Sequence, residues 1–89
     1  MDDQLKQNFE IAVNIVNNLK KRPNDNELLN IYKFFKQAKF GNNDTPQPGM
    51  LNFNKSAKWS AWMAVYGMNE KEAMQKYINL AMELFNKYN

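Results

Sequence analysis

The sequence predicts an all-α protein of four helices, and three kinds of observation support that fold class. Apolar residues recur at the i, i+3, i+4 spacing of an amphipathic helix in four separate segments. Helix-capping residues, glycines and prolines stand between these segments, where helices begin and end. No segment alternates apolar and polar residues as a half-buried strand does, and the chain contains no internal repeat.

The first two helices are separated by a proline. The first is predicted from about Asp3 to Lys20, and Pro23 ends it because proline disfavours helical backbone in the residue before it. The second begins with a capping box, in which the side chains of Asn24 and Glu27 each accept from a free N–H group. It is predicted to end at Gly41, which can adopt the left-handed conformation typical of helix ends.

A long loop over residues 41–54 follows, and it is rich in turn-forming residues. It also contains Met50, Leu51 and Phe53, which a flexible linker would lack. We therefore expect the loop to pack on the body of the protein. An overhand crossover of this kind allows the helices on its two sides to run parallel.

The last two helices are also separated by a glycine. The third is predicted to start near Asn54 and to end at Gly67. The fourth repeats the capping pattern with Asn69 and Glu72. Its apolar stripe then continues to the end of the chain: Ala73, Met74, Tyr77, Ile78, Ala81, Leu84, Phe85 and Tyr88.

Length and composition limit the functions that this chain can perform. Its 89 residues suit one domain, residues 1–89, because domains typically span about 100–150 residues. The absence of cysteine and histidine excludes zinc fingers, cysteine nucleophiles and histidine acid–base catalysis. No glycine-rich phosphate loop or metal-ligand cluster occurs, and Ser56 and Ser60 have no histidine to activate them. We therefore expect a protein that is not an enzyme.

The expected location is the cytoplasm. The chain has no cysteine, which suits a reducing compartment, and its first residues are acidic rather than a secretory leader. No run of about 18 apolar residues suggests a membrane span.

Positive charge is concentrated in the middle of the chain. The net charge is +3, but residues 20–58 contain eight basic and three acidic residues, a net of +5. Such a cluster is either a solvated face or a site for an anion.

Two lysines of this cluster have unusual positions. Lys36 follows Tyr32 by one helical turn, and Lys58 projects among the apolar residues of the third helix. Each ammonium either extends to water or lies at the rim of an apolar cleft. The neighbouring aromatic residues Tyr32, Phe35 and Tyr77 are either core residues or faces on which a planar base can stack.

Several motifs in these segments occur in one order and at one spacing. They are Tyr32-x-x-Phe35-Lys36-Gln37-Ala38-x-x-Gly41, Pro48-Gly49-Met50-Leu51-x-Phe53, Ala57-Lys58-Trp59-x-Ala61-Trp62, and the pair Ala73-Met74 and Tyr77-Ile78. In these motifs the sequence resembles the acyl-CoA-binding protein family, which includes the diazepam-binding inhibitors. The resemblance extends from Phe9 to about Tyr88.

The resemblance implies a four-helix bundle with up-down-down-up topology, with the long overhand loop between its second and third helices. It also implies non-catalytic one-to-one binding, buffering and transport of medium- to long-chain fatty acyl-CoA esters. Carried over to this sequence, Tyr32, Lys36 and Lys58 hold the 3′-phosphate of CoA. Phe35 and Tyr77 flank the adenine. The acyl chain lies in a groove formed by Phe9, Val13, Leu28 and Leu29.

This chain departs from the family pattern at three positions. Members of the family often have lysine at the positions of Asn17 and Asn54, and tyrosine at the position of Phe35. The first two changes each remove a charged contact to the ligand, so no binding role is carried over to either asparagine. Stacking survives at Phe35, but any hydrogen bond from a hydroxyl group does not.

The implied protein is a monomer without a cofactor. Its ligand is fatty acyl-CoA, it has no nucleic-acid partner, and its membrane contact is at most transient. The alternatives are a small basic helical module that binds nucleic acid and one that binds another protein. A nucleic-acid module would carry its cations along one exposed helix, whereas here they are divided among several helices and include a single arginine, Arg22.

Overall fold

The computed structural model describes residues 2–89, which form four helices. They are α1 (Asp2–Asn17), α2 (Asp25–Phe40), α3 (Phe53–Met63) and α4 (Glu70–Tyr88). Residues 2–89 contain no strand, so the predicted all-α class is confirmed. Within this range no helix is long and apolar enough to cross a membrane.

The predicted helix starts are formed by asparagine caps. Asn24 Oδ1 accepts from the N–H of Glu27, and Glu27 Oε1 accepts from the N–H of Asn24, both at 2.9 Å. At the start of α4, Asn69 Oδ1 accepts from the N–H of Glu72 at 2.7 Å. Helix α2 ends at Gly41, whose φ of 76° is in the region that favours glycine.

Helices α1 and α3 end earlier than the sequence predicts. After Asn17, the N–H groups of Asn18 and Leu19 bond to carbonyls three residues back, which tightens the chain into a turn. The Asn18 side chain also donates to the Asn14 carbonyl at 2.8 Å, and such local bonds compete with helix continuation. After Met63, bonds of the same kind form successive turns up to Gly67.

Helices α2 and α3 run parallel. The Lys58 ammonium lies 5.5 Å from the ring centre of Tyr32, and the Lys36 ammonium lies 4.7 Å from the ring of Trp62. Both helices therefore advance by one turn in the same direction between these contacts. The loop between them is the crossover that a parallel pair requires.

Helices α1 and α4 run opposite to α2. Lys87, in the last turn of α4, pairs with Glu27, in the first turn of α2, at 2.8 Å. Lys39, in the last turn of α2, pairs with Glu10 of α1 at 2.9 Å. The resulting order is up-down-down-up, as the resemblance implies.

The core lies where α4 packs against α1 and α2. Alanines allow these helices to approach closely, and larger side chains fill the space between them. The buried members are Phe9, Ala12, Ile31, Ala38, Ala73, Tyr77, Ala81 and Leu84. Helix α3 packs against α2 but against neither α1 nor α4.

The long loop contacts the body of the protein, as predicted, but not through its apolar residues. Met50, Leu51 and Phe53 are 88%, 93% and 77% exposed. Polar contacts hold the loop instead: buried Asn43 donates to the Trp59 carbonyl at 3.3 Å and accepts from the N–H of Thr45 at 2.9 Å. The Trp59 indole N–H donates to the Thr45 carbonyl at 3.0 Å.

The start of α2 and the end of α4, which are far apart in sequence, meet at Glu27. Its carboxylate accepts from Lys87 and from the Tyr88 hydroxyl in addition to the N–H of Asn24. The hydrogen bond from Lys87, followed by that from Tyr88, lowers the pKa of Glu27 to about 2 from an ordinary value of 4.5. A carboxyl group whose pKa is lower in the folded state stabilises the fold above its unfolded pKa. That stabilisation is lost as the pH falls from about 4.5 to 2.

We predict that Glu27→Gln lowers the melting temperature at neutral pH, because glutamine can keep the bond to the N–H of Asn24 but loses the charge that attracts Lys87. The difference from the wild type should shrink as the pH falls from about 4.5 to 2, because the wild-type carboxyl of the folded state is about half protonated near pH 2. Thermal denaturation, monitored by circular dichroism over this pH range, measures the difference in melting temperature.

Glu72→Gln is the matched control, because Glu72 occupies the same helical position in α4 without bonds to Lys87 or Tyr88. An equal loss of stability in both variants at neutral pH would contradict the role of the charge. The same holds if the difference in melting temperature between Glu27→Gln and the wild type is undiminished at pH 2.

Candidate ligand-binding cleft

A cleft of about 660 Å³ opens along α2, between α1 on one side and α3 on the other. It exists because α3 and α1 pack on other elements but not on each other. Its apolar lining is formed by Val13, Val16, Leu28, Leu29, Ile31 and Ala57. Its aromatic lining is formed by Tyr32, Phe35 and Tyr77. Its polar lining is formed by Asn17, Arg22, Asp25, Asn54 and Lys58.

Two ammonium groups lie near the ring of Tyr32. Lys58 Nζ is 5.5 Å from the centre of this ring, and Lys36 Nζ is 5.9 Å from it. Lys36 Nζ also lies 4.3 Å from the ring of Phe40 and 4.7 Å from that of Trp62. Aromatic faces attract these cations but do not neutralise them, and neither lysine pairs with a carboxylate in residues 2–89. Two uncompensated cations beside one tyrosine suit an anionic group such as a phosphate.

An aromatic cluster supports the floor of the cleft. The ring centres of Phe9 and Tyr77 are 5.0 Å apart in an edge-on arrangement, and those of Phe9 and Phe35 are 6.1 Å apart and stacked. Phe9 and Tyr77 are only 1% and 2% exposed. Burial, together with the negative charge of Glu10, raises the pKa of Tyr77 to about 12. The phenol is therefore neutral at physiological pH and can donate a hydrogen bond.

The structure brings most of the predicted site residues together. Those that line the cleft are Val13, Leu28, Leu29, Tyr32, Phe35, Lys58 and Tyr77. Phe9 does not line it, because its ring lies beneath Phe35 and Tyr77. Lys36 does not line it either but lies beside it, over Trp62 and next to Tyr32. The ligand contacts assigned to these residues remain predictions.

Sequence reasoning missed Arg22 and Asp25, which both line the cleft. Arg22 lies between α1 and α2, and its guanidinium is 3.4 Å from a carboxylate oxygen of Asp25. Arg22 is the single arginine of the chain, which is a signal that could have marked this position, but next to Pro23 it was interpreted only as part of a helix end. Asn17 and Asn54, to which no role was assigned, also line the cleft.

Metal chemistry has no support in the described residues. Residues 2–89 contain no group of three or more histidine, cysteine, aspartate or glutamate side chains that could hold a metal ion. The cleft instead combines a long apolar surface with cations and aromatic rings at one side. This combination defines a small helical binding protein for an amphipathic anionic ligand.

Comparison with known proteins identifies a family within this class of binding protein. Residues 6–81 match the family model described as "Acyl CoA binding protein". The "Acyl-CoA-binding protein homolog" of Drosophila melanogaster is 42% identical over 84 residues, which are 94% of this chain and 98% of the relative.

Solved structures show the same similarity. The crystal structure of Oryza sativa acyl-CoA-binding protein 2 superposes with a TM-score of 0.93 at 31% identity, over 97% of this chain and 94% of that one. The crystal structure of the acyl-CoA-binding protein from Moniliophthora perniciosa gives a TM-score of 0.86 at 40% identity, over 92% and 81% of the two chains. The chain belongs to the acyl-CoA-binding protein family, as its motifs indicate.

Proposed function

We propose that this protein binds medium- to long-chain fatty acyl-CoA esters, one per molecule, and buffers and transports them as a cytoplasmic monomer without catalysing a reaction. Family membership supports acyl-CoA as the ligand. The residue assignments are supported by the cleft, which combines apolar side chains with an aromatic and cationic rim.

The nucleotide end of the ligand is assigned to the rim. Lys36 and Lys58 attract the 3′-phosphate of CoA, and the hydroxyl of Tyr32, whose ring lies near both ammonium groups, is a further donor. Phe35 and Tyr77 are the other aromatic residues of the lining, and they flank the adenine. Because Tyr77 is almost fully buried, Phe35 supplies more of the exposed ring surface.

The acyl chain is assigned to the apolar part of the cleft. Val13, Leu28 and Leu29 line this part directly, and Phe9 supports it from beneath. Burial of a methylene group is favourable by about 0.8 kcal/mol. A chain of about 14–16 carbons therefore gains on the order of 10 kcal/mol before the costs of ordering are subtracted. Length dependence of the affinity follows from this gain per methylene.

A carrier role without catalysis suits the composition. Thioester hydrolysis requires an activated nucleophile, and the sequence offers neither cysteine nor histidine. The two serines, Ser56 and Ser60, lie on α3 outside the lining of the cleft. A bound thioester therefore meets no cysteine, histidine or serine in the cleft lining.

We predict that palmitoyl-CoA binds much more tightly than either free CoA or free palmitate, because only the ester occupies both parts of the cleft. Isothermal titration calorimetry with the three compounds measures these affinities. Palmitate that binds as tightly as palmitoyl-CoA would contradict the assignment of the rim to the nucleotide. Binding of DNA with an affinity that falls steeply as the salt concentration rises would instead favour the nucleic-acid alternative.

We also predict that Lys58→Gln and Lys36→Gln each weaken palmitoyl-CoA binding by roughly tenfold or more, because each removes a charge-assisted contact to phosphate. An ester that lacks the 3′-phosphate should bind the wild type and both variants with similar affinity. Changes in tryptophan fluorescence from Trp59 and Trp62 report the binding.

The matched control is Lys55→Gln, which removes the same charge from α3 at a position outside the cleft lining. If Lys55→Gln weakens binding as much as Lys58→Gln, the effect is one of net charge and the assignment is wrong. The same conclusion follows if the loss persists on the ester without the 3′-phosphate.

A further inference from the structure

The loop between α2 and α3 carries the most exposed large apolar side chains of residues 2–89. We call Met50, Leu51 and Phe53 the apolar tip; they are 88%, 93% and 77% exposed, whereas the next most exposed, Phe40, is 64%. Clusters of this kind on a soluble domain usually mark a surface that another body covers. The proposed acyl-CoA site does not use them, since none of the three lines the cleft.

The apolar tip is held in place by hydrogen bonds rather than frayed. The N–H of Asn52 donates to the Gly49 carbonyl at 3.1 Å and closes a turn around Met50 and Leu51. The Asn52 side chain accepts from the N–H of Lys55 at 3.3 Å and caps α3. Phe53 is the first residue of that helix. The three apolar side chains are thus presented to solvent by a defined turn.

The apolar tip adjoins the cleft. Asn54 follows Phe53 directly and lines the cleft on one side. It also lines a shallow depression formed with Leu51 and Phe53 on the other side. A surface that covers the apolar tip therefore lies next to Asn54, a residue of the cleft lining.

The charged residues that follow the apolar tip in sequence are basic as far as Asn69, whereas Asp44 precedes the tip by six residues. From Thr45 to Asn69 the only charged residues are Lys55 and Lys58, and Lys55 lies in the first turn of α3 beside the tip. Apolar side chains flanked by lysines suit the headgroup region of an anionic bilayer, where chains contact lipid and ammonium groups contact phosphate. A second copy of the chain suits it less, because it would bring the same positive charge to the interface.

We propose that the apolar tip inserts into the surface of an anionic phospholipid bilayer, with Lys55 at the headgroups, and holds the cleft close to the membrane. The interaction does not require bound ligand, so it stands independently of the proposed acyl-CoA site. Its contribution to function is to shorten the path of an apolar ligand between bilayer and cleft.

The absence of cysteine allows a direct test with single labels. Leu51→Cys carries an environment-sensitive fluorophore at the apolar tip, and Ile11→Cys carries it at an exposed apolar site on α1. On vesicles of phosphatidylcholine with phosphatidylserine, fluorescence should rise and shift to the blue for the Leu51 label alone. The response should be weaker on pure phosphatidylcholine. No response at Leu51, or equal responses at both positions, would overturn the proposal.

Unlabelled variants separate the membrane from other occupants. Leu51→Ser/Phe53→Ser should reduce vesicle cosedimentation at least tenfold and leave the affinity for palmitoyl-CoA in vesicle-free buffer unchanged. If that affinity falls by a similar factor, the tip covers the acyl chain instead. If the wild type sediments as a dimer that this variant dissociates, the tip pairs two copies. Either result would overturn the proposal, while failure of palmitoyl-CoA to bind the wild type bears on the proposed function alone.

The charge contribution is tested in the same assay. Lys55→Gln should reduce partitioning onto anionic vesicles about fivefold and have little effect on neutral ones. Lys76→Gln, which removes an exposed lysine from α4, is the matched control. Equal losses for both lysines would mean that net charge alone drives the association, and the assignment to the apolar tip would be wrong.

Discussion

Helix α3 depends on its contacts with α2, and the binding cleft depends on where α3 lies. The indole N–H of Trp62 donates to the carbonyl of Gly41, at the end of α2, at 2.9 Å. The indole N–H of Trp59 donates to the Thr45 carbonyl at 3.0 Å and ties α3 to the start of the loop. Buried Gln37 adds bonds from α2 to the Met68 carbonyl, at 2.7 Å, and to Asn42. A buried carbonyl left without these donors would be costly.

This attachment has a direct consequence for the site. Since α3 packs on α2 but on neither α1 nor α4, a space remains along α2 that no side chain of the core fills. Helix α3 contributes Lys58 to this space and places it beside Tyr32, while α1 contributes Val13 from the opposite side. Lys58 and Val13 thus line one cleft because α3 is held beside α2, in part by the indole bonds.

Local signals explain how much of the fold and site was predictable. Asn24 with Glu27, and Gly41, mark helix ends through interactions within a few residues, and the structure forms them as predicted. Lys58 was recognisable because a lysine among apolar neighbours on one helix face either extends its ammonium to water or lies at the rim of a cleft. The family resemblance supplied the remaining residues and the topology, which periodicity alone did not determine.

Long-range packing explains what the sequence did not reveal. Phe9 belongs to an apolar stripe, but whether it lines a cleft or lies beneath one depends on Phe35 and Tyr77 from other helices. Leu51 looked like a packing residue, yet the loop is fixed by Asn43 and the indole of Trp59 and leaves Leu51 exposed.

The attachment of α3 to α2 creates the binding site, and Trp62→Phe tests this dependence most directly. This substitution keeps an aromatic ring but removes the N–H that bonds to Gly41. Circular dichroism and palmitoyl-CoA titration of the same variant should show wild-type helix content at low temperature and an affinity reduced roughly tenfold. Wild-type affinity in the variant would contradict the claim, because the cleft would then form without this bond.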